Sequence, residues 1–312
     1  MTYIFVAILA YFLIALGTII DKFLLTSRKV SHPAIYAFYS GLISLATFAL
    51  FPFGGHAVDA AQLVGYILFG AVFTYGILCL FFAIQKNQAS QVVPVNGAVV
   101  PIITYLLAVF LFNQHLNFVQ IIGVIFLMGG GIIISLNLPI KVKASRFFSG
   151  FEYAVLSGIL MGIAFTAFKF FYDQEGAFLN VFIWTRLGLA LGSISLLINS
   201  RWRKIILGSF TGFKKDKSGN TSTGIFFTAN KLLNGIGSIL FNYAIAIGGA
   251  GGATIVNALI SIEYVFIFLM GIFLSLRFPA IFEEKMTLSN ISQKIIAIIL
   301  ISAGVIMILV NK

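Results

Sequence analysis

The sequence predicts an all-α integral membrane protein with ten transmembrane helices arranged as two inverted five-helix repeats. Composition is the first observation, because 60% of the 312 residues are hydrophobic and only 9% are charged, whereas soluble domains carry about 25% charged residues. The second observation is a series of ten apolar segments. The third is a set of matching positions between the two halves of the chain.

The ten apolar segments approach the length of about 20 residues that a helix needs to cross a bilayer. They lie at residues 3–22, 33–53, 61–84, 91–112, 119–137, 150–170, 177–198, 223–247, 253–276 and 292–310. None alternates in the pattern of a barrel strand, so all are predicted to be helical. Gly188 and Gly192, and the run Gly129, Gly130 and Gly131, predict close packing between helices.

The longest connection, residues 199–222, carries two basic clusters and Trp202. A separate soluble domain would need more residues than this connection has. Tryptophan and basic residues are enriched where a membrane protein meets the lipid headgroups. We therefore expect this connection to be a basic loop at the membrane surface.

The two halves repeat with an offset that changes twice along the chain. Identical residues pair at offsets of 147, 161 and 174, namely Lys22 with Lys169, Gly41 with Gly188, Gly76 with Gly237, Ala83 with Ala244, Asn96 with Asn257 and Gly130 with Gly304. Matching lysine and asparagine positions are harder to attribute to chance than matching apolar residues. We therefore expect one five-helix repeat at residues 1–145 and a second at residues 146–312.

Five helices in each repeat would insert the second repeat upside down relative to the first, because the number is odd. Inverted repeats of this kind are typical of secondary transporters. Their substrates bind near the bilayer midplane between the repeats, and access alternates as one part rocks against the other. The repeat thus favours a transporter before any motif is considered.

Other functional classes find little support in the sequence. The net charge of +11 falls largely in short loops, which is typical of membrane topology rather than of nucleic-acid binding. Cys79 is the single cysteine, and His32, His56 and His115 lack the spacing of metal ligands or catalytic groups. No GxxxxGK[ST] sequence occurs. We expect a multi-pass plasma-membrane protein without enzymatic activity, metal, cofactor or nucleic-acid partner.

Three charged residues, Arg186, Lys231 and Glu263, lie deep within predicted helices. A charge near the bilayer centre costs at least ~2.5 kcal/mol, so such residues tend to face a protein interior or a water-filled path. A polar stripe on one helical face, with the spacing i, i+3, i+7 and i+11, consists of Lys231, Asn234, Ser238 and Asn242. The stripe predicts a face that lines a cavity, and hydrogen bonding between neighbouring helices is the alternative.

Two deep cations against one acid favour a substrate that is anionic or bears a carboxylate. In this hypothesis Glu263 offsets one cation, and either Arg186 or Lys231 meets the negative group of the substrate. The alternative is a buried structural ion pair that has no contact with substrate.

The repeat-matched Asn96 and Asn257 complete the candidate substrate-binding residues. Asn96 lies between Pro94 and Pro101. A proline inside a membrane helix frees backbone groups and can break the helix, and broken helices line transporter sites. A simple kink that serves packing is the alternative, and both interpretations stay open.

Several local features resemble the drug/metabolite transporter superfamily, specifically ten-helix proteins with two EamA-type domains. Residues 83–102, which contain the small-residue stretch before Pro101, are similar to the fourth helix of that family. Residues 120–130 resemble its fifth helix, and residues 257–260 and 283–287 resemble its ninth helix and the charged segment after it. The sequence departs from the family at Asn113-Gln114, where a glutamate is common, and at Ile262, where a proline is expected.

The resemblance implies a secondary transporter, an exporter or a permease, that moves a small metabolite by alternating access. The alternatives are a flippase for a lipid-linked carrier and a non-transporting membrane accessory subunit. The expected partners are a small-molecule substrate and the lipid bilayer, and a homodimer is compatible with the sequence. The sequence leaves open the substrate, the coupling ion and the direction of transport.

Loop charge predicts the orientation of the chain. The basic residues on one side are those of residues 201–217 together with Arg28, Lys29, Lys86, Lys141, Lys143, Arg146, Arg277 and Lys285. The opposite side carries Asp59, Asp173 and Glu175, with only Lys169 near a helix end and Lys312 at the tail as basic residues. The positive-inside rule places the basic side in the cytoplasm and both termini outside, whereas the family resemblance implies cytoplasmic termini.

We predict that a cysteine introduced by Ser218→Cys, in a chain that lacks Cys79, resists an impermeant thiol reagent in intact cells. The reason is that residues 199–222 belong to the basic, cytoplasmic side. Labelling after membrane permeabilisation is the control for reactivity. Ready labelling in intact cells would show that the orientation implied by the family is correct instead.

Overall fold

The computed structural model describes residues 2–25, 32–86, 89–135, 150–212, 221–249, 251–277 and 288–310. Side chains are described at these positions except at residues 21–25, 89–91, 135, 210–212, 221–229, 231, 275–277 and 288–291. Every regular element in these ranges is helical. The predicted all-α fold class is therefore confirmed.

Twelve α-helices are described, and two of them are extended by short 3₁₀ helices. The α-helices are α1 (Thr2–Leu25), α2 (Pro33–Ser44), α3 (Ala60–Lys86), α4 (Ala89–Phe112), α5 (Phe118–Ser135), α6 (Phe151–Glu175), α7 (Phe178–Ser195), α8 (Ser200–Gly212), α9 (Thr221–Ile247), α10 (Gly252–Ala258), α11 (Ile260–Arg277) and α12 (Leu288–Val310). The 3₁₀ helices Leu45–Phe53 and Leu196–Ile198 continue α2 and α7.

Eight stretches in the described residues are long and apolar enough to cross a membrane. The fifth and eighth predicted segments correspond to shorter apolar stretches, Phe118–Ile134 and Leu232–Ile247. All ten predicted segments therefore fall on helices, and the chain crosses the membrane several times. That each of the ten spans the bilayer stays a prediction.

Local sequence explains where several helices begin and end. The side chain of His32 accepts the Ala34 amide before α2, with proline as the first helical residue. Asn117 and Gln120 form a reciprocal capping box at the start of α5, with N–O distances of 2.8 and 3.0 Å. Gly176 ends α6 in the left-handed conformation, at φ +73°.

Three features differ from simple expectation. Residues 253–276 are not one helix, because a turn at Leu259 separates α10 from α11. The stretch around Pro94 and Pro101 is not broken, because α4 continues through both prolines. The predicted loop at residues 199–222 contains the helix α8.

The break at Leu259 has a local reason. Near Leu259, the Ser261 hydroxyl donates to the Leu127 carbonyl of α5 at 2.5 Å, and the Asn257 amide donates to the Ala253 carbonyl at 2.7 Å. Side chains of this kind compete with the backbone for helical carbonyls. A break without proline is not visible in a hydrophobicity pattern.

The chain divides into two compact units that each draw on both halves of the sequence. Unit 1 contains Met1–Lys29, Ala108–Phe147 and Gly219–Lys312, and unit 2 contains Val30–Leu107 and Phe148–Ser218. In unit 1, α1 packs on α9 and α11, and α5 packs on α12. In unit 2, α3 packs on α6 and α7, and α2 packs on α7 and α8. The two compact units therefore do not coincide with the predicted repeats at residues 1–145 and 146–312, which concern matching positions in the sequence. The repeats stay a prediction.

Glycines allow close backbone approach, as predicted for Gly188 and Gly192. A Cβ atom on Gly188 would lie 2.5 Å from the Tyr66 carbonyl oxygen, and one on Gly192 would lie 2.7 Å from the Ala71 Cα atom. Without a hydrophobic driving force between helices in lipid, such approach supplies the van der Waals contact that holds them together.

Equivalent contacts recur in the two units. In unit 2, a Cβ on Gly76 of α3 would lie 3.0 Å from Met161 Cγ of α6. In unit 1, a Cβ on Gly237 of α9 would lie 2.8 Å from Ile14 Cγ1 of α1. The offset of 161 matches Gly76 with Gly237, and the offset of 147 matches Ile14 with Met161. The two contacts therefore join matching positions of the two halves.

We predict that Gly123→Ala lowers the free energy of unfolding by ~1–3 kcal/mol, because overpacking a fitted contact forces the backbone to shift. The new Cβ would lie 2.9 Å from the Gly304 carbonyl oxygen. Gly129→Ala on the same helix is the matched control, since its Cβ has nothing within 4 Å. Melting of the purified protein in detergent measures both, and equal melting temperatures would contradict the packing.

Candidate functional site

Within the described part of unit 1, the buried acidic group is the Glu263 carboxylate. It lies in the first turn of α11, where the helix dipole favours a negative charge, and its residue is 9% exposed. The Thr18 hydroxyl of α1 donates to it over 3.4 Å, a long and therefore weak hydrogen bond. The break at Leu259 thus places a carboxylate at a helix start inside an apolar span.

Unit 1 also contains buried tyrosine and threonine hydroxyls, on α1, α10 and α11. Tyr11 of α1 is buried and donates to the Val256 carbonyl of α10 at 2.9 Å, and it interacts electrostatically with Glu263 and Tyr264. Among the described residues, the buried hydroxyls of Thr254 and Tyr264 have no hydrogen-bond partner. Buried hydroxyls are normally paired, so unit 1 offers groups that a bound polar molecule can satisfy.

The polar stripe of α9 faces α1 at Asn234. A Cβ atom on Gly17 would lie 2.3 Å from Asn234 Oδ1, so the glycine provides the space that the amide occupies. The Asn234 amide also donates to Asn230 Oδ1 at 3.1 Å. Exposed apolar residues of the same helix, Leu232 and Ile236, lie at other positions around its axis.

The remaining members of the stripe are described in part. The Asn242 amide is buried and donates to the Ser238 carbonyl at 2.8 Å. The backbone of Lys231 belongs to α9, and its side chain lies outside the described residues. The described contacts fit both a cavity-lining face and bonding between helices, so the role of Lys231, Asn234 and Ser238 stays a prediction.

The repeat-matched asparagines are equally buried, at 5% exposure each, but bond differently. Asn257 donates to a carbonyl of its own helix. Asn96 of α4 donates to the Ser157 hydroxyl of α6 at 2.9 Å, and Ser157 donates in turn to the Gly76 carbonyl of α3 at 2.7 Å. Asn96 therefore connects three helices of unit 2.

Arg186 lies on α7 in unit 2. Its guanidinium carbon is 4.4 Å from the centre of the Phe182 ring, a cation–π geometry. Asn96 belongs to the same unit, whereas the other predicted site residues, Lys231, Asn234, Ser238, Asn257 and Glu263, belong to unit 1.

Sequence reasoning missed a buried network around Glu175 in unit 2. The Glu175 side chain is 9% exposed and pairs with His56 at 3.1 Å. It also accepts hydrogen bonds from the Tyr66 hydroxyl and the Asn180 amide. The sequence places Glu175 at the edge of an apolar segment and His56 in a connection, so both read as loop residues. Asn180, a polar residue inside an apolar segment, was the available signal.

Side chains of α7 also bind the backbone of His56, which lies in the connection that precedes α3. Asn180 Oδ1 accepts the His56 backbone amide at 2.8 Å, and the Trp184 indole donates to the His56 carbonyl at 3.0 Å. The two side chains come from α7, so the connection is held against the start of that helix. Mutually satisfied polar groups around the buried Glu175 thus hold the exposed His56 in place.

Two further lysines are buried. Lys169 of α6 is buried and pairs with Asp173 of the same helix at 2.6 Å. Lys294 of α12, which sequence reasoning did not select, is 7% exposed and lies 4.3 Å from the centre of the Phe268 ring. Lys294 follows the start of a predicted helix, where a lysine ordinarily reaches the headgroups.

Apolar spans that enclose buried polar side chains define a multi-pass membrane protein of the plasma membrane. Residues 1–136 match the model of the EamA-like transporter family. The match covers 136 of the 312 residues and indicates a membrane transporter of the drug/metabolite transporter type. Members of this family are transporters rather than enzymes. The resemblance drawn from the sequence is confirmed.

A solved crystal structure of a protein is similar over 99% of this chain and 95% of its own, with a TM-score of 0.64 and 16% identity. At this identity the likeness shows the fold alone. No curated protein matches the sequence.

We predict that Glu175→Gln lowers the free energy of unfolding by ~1.5–3 kcal/mol, because an amide cannot accept hydrogen bonds from every donor that faces the carboxylate. The same substitution at the other end of α6, Glu152→Gln, is the matched control. Glu152 pairs with Lys86 at 3.0 Å with its side chain 59% exposed, and exposed ion pairs contribute little. Equal thermal shifts for the two variants would contradict the burial of Glu175.

Proposed function

We propose that the protein is a secondary transporter that moves a small metabolite bearing a negative or carboxylate group. In this proposal transport proceeds by alternating access between two inverted five-helix repeats. The match of residues 1–136 to the EamA-like transporter family supports a transporter of the drug/metabolite type. The substrate class and the mechanism are our proposal.

The observation that carries the mechanism is the pair of equivalent contacts in the two units. The Gly76–Met161 approach in unit 2 and the Gly237–Ile14 approach in unit 1 use positions that the repeat offsets relate. Matching residues alone could arise by chance in apolar sequence. Matching contacts require that the helices of both repeats also pack in the same way, which supports a duplicated fold.

The crossing of α5 and α12 adds support of a different kind. A Cβ on Gly123 would lie 2.9 Å from the Gly304 carbonyl, and a Cβ on Gly130 would lie 3.0 Å from the Ala297 carbonyl. At the offset of 174, Gly123 matches Ala297 and Gly130 matches Gly304. Gly123 thus contacts the residue that matches Gly130, and Gly130 contacts the residue that matches Gly123. Such reciprocal contacts are expected where a two-fold axis passes between two equivalent helices.

The buried polar groups support an enclosed substrate site. Glu263 follows a break in an apolar span, and broken helices line the sites of secondary transporters. A flippase for a lipid-linked carrier, the alternative, needs a lateral opening with charge near one interface. Charges within spans, at Glu263 and Arg186, favour a small-molecule carrier over that alternative.

We predict that Lys231→Met leaves the protein inserted and folded but abolishes transport, because it removes the cation that meets the substrate. Asn234→Leu should give a milder loss, since it changes the same face without removing charge. The measurement is a screen of anionic and neutral metabolites for uptake and exchange in vesicles that contain the purified protein. Glu152→Gln, at an exposed ion pair, is the matched control and should transport normally.

The competing hypothesis is a structural pair between Lys231 and Glu263. Breaking such a pair costs ~3–5 kcal/mol, so Lys231→Met would then reduce expression and stability. The double variant Lys231→Met/Glu263→Gln would restore them. Recovery of both stability and transport in the double variant would falsify the substrate role of Lys231.

A further inference from the structure

Helix α8 lies next to the end of an apolar span along the chain. It begins at Ser200, directly after the span Phe178–Ile198. The Asn199 side chain caps it by accepting the amides of Arg201 and Trp202 at 3.0 and 3.2 Å. The position of α8 beside the membrane boundary therefore follows from chain connectivity.

One face of α8 packs on unit 2. Trp202, Ile205, Ile206 and Ser209 recur at i, i+3, i+4 and i+7, one helical stripe. Ile206 is fully buried within a cluster with Ala34, Ile35, Ala37, Phe38, Leu78 and Leu196. The Ser209 and Tyr39 hydroxyls are hydrogen-bonded at 3.1 Å. The helix is thus a fixed part of unit 2.

Three basic residues lie on the described surface of α8 outside this stripe. Arg201, Arg203 and Lys204 are exposed, and residues 198–212 contain no acidic residue. Leu207, one turn after Arg203, is 52% exposed. Among the described residues, none of the three cations forms an ion pair.

We infer that the exposed face of α8 binds the headgroups of anionic phospholipids. An amphipathic helix that combines basic residues with tryptophan and exposed leucine fits the headgroup region of a bilayer. Basic residues beside a membrane attract anionic lipids, and arginine can hold a phosphate through two parallel hydrogen bonds. Trp202 is half-buried and lies in sequence between Arg201 and Arg203. Its fluorescence can therefore report on the lipid beside the three cations.

Lys86 is a neighbouring basic residue whose charge is already paired within the protein. Lys86 ends α3, and Phe82 of the same helix lies 6.3 Å from Trp202 between ring centres. Lys86 is paired with Glu152 at 3.0 Å and lies 4.2 Å from the centre of the Tyr153 ring. Its charge is already engaged, so Lys86 is a basic residue nearby that should not contribute to headgroup binding.

The test uses fluorescence quenching by brominated lipids. Trp184 and Trp202 are the two tryptophans of the chain, so Trp184→Phe leaves Trp202 as the single reporter. The purified variant is reconstituted in phosphatidylcholine bilayers that contain equal fractions of either brominated phosphatidylglycerol or brominated phosphatidylcholine. We expect at least about twofold stronger quenching by the brominated phosphatidylglycerol, and weaker contrast at high salt.

Variants separate charge from folding. Arg201→Gln/Arg203→Gln/Lys204→Gln should remove the contrast between the two lipids. Lys86→Gln, which removes one paired cation, should keep it. The charge-conserving Arg201→Lys/Arg203→Lys should also keep it, which shows that charge rather than an altered fold is responsible.

Three results would overturn the inference. The first is equal quenching by both lipids, and the second is a contrast that survives in the triple glutamine variant. The third is loss of the contrast when inorganic phosphate replaces chloride at constant ionic strength, because that assigns the surface to soluble anions. If the triple variant does not fold, the salt titration of the Trp184→Phe protein decides, and a contrast insensitive to salt overturns the proposal.

Discussion

Close backbone approach at glycines is the constraint on which the rest of this structure depends. A Cβ on Gly70 would lie 2.3 Å from the Thr185 carbonyl, so α3 and α7 touch backbone to backbone. The same helices supply Tyr66 and Asn180, which bind the buried Glu175. In unit 1, Gly17 provides the space for Asn234. The positions of the polar groups therefore depend on these close helix contacts. In lipid the hydrophobic effect does not drive helices together, and only small residues permit such close contact.

At the offsets predicted from the sequence, the two halves of the chain match in their helix contacts and differ in their polar groups. Gly76 and Gly237 make equivalent contacts, and Asn96 and Asn257 are equally buried. Glu263, by contrast, matches Ile102 at the offset of 161. Under the predicted duplication, both copies keep equivalent helix contacts while one copy carries the charge at Glu263. This asymmetry explains why the candidate site residues come mostly from the second half of the chain.

Sequence reasoning located the helices because length and hydrophobicity decide what crosses a membrane, and it anticipated the packing role of Gly188 and Gly192. It did not locate the break at Leu259, because no proline or glycine marks it and the carbonyl that Ser261 binds is 134 residues away. It took Glu175 for a loop charge, because the donor Tyr66 is 109 residues distant in sequence. It read α8 as a loop because basic residues obscured a short apolar stripe. The grouping into two units could not be read from sequence, since each unit joins helices from both halves.

The mixed composition of unit 1 has a consequence for biosynthesis. Helix α1 packs on α9 and α11, and about 200 residues separate the end of α1 from the start of α9. At a synthesis rate of about 5–20 residues per second, α1 waits about 10–40 s in the bilayer before its partners exist. During that time Tyr11 and Thr18 face lipid or the insertion machinery rather than Val256 and Glu263. Most of the chain is thus synthesised before unit 1 can assemble.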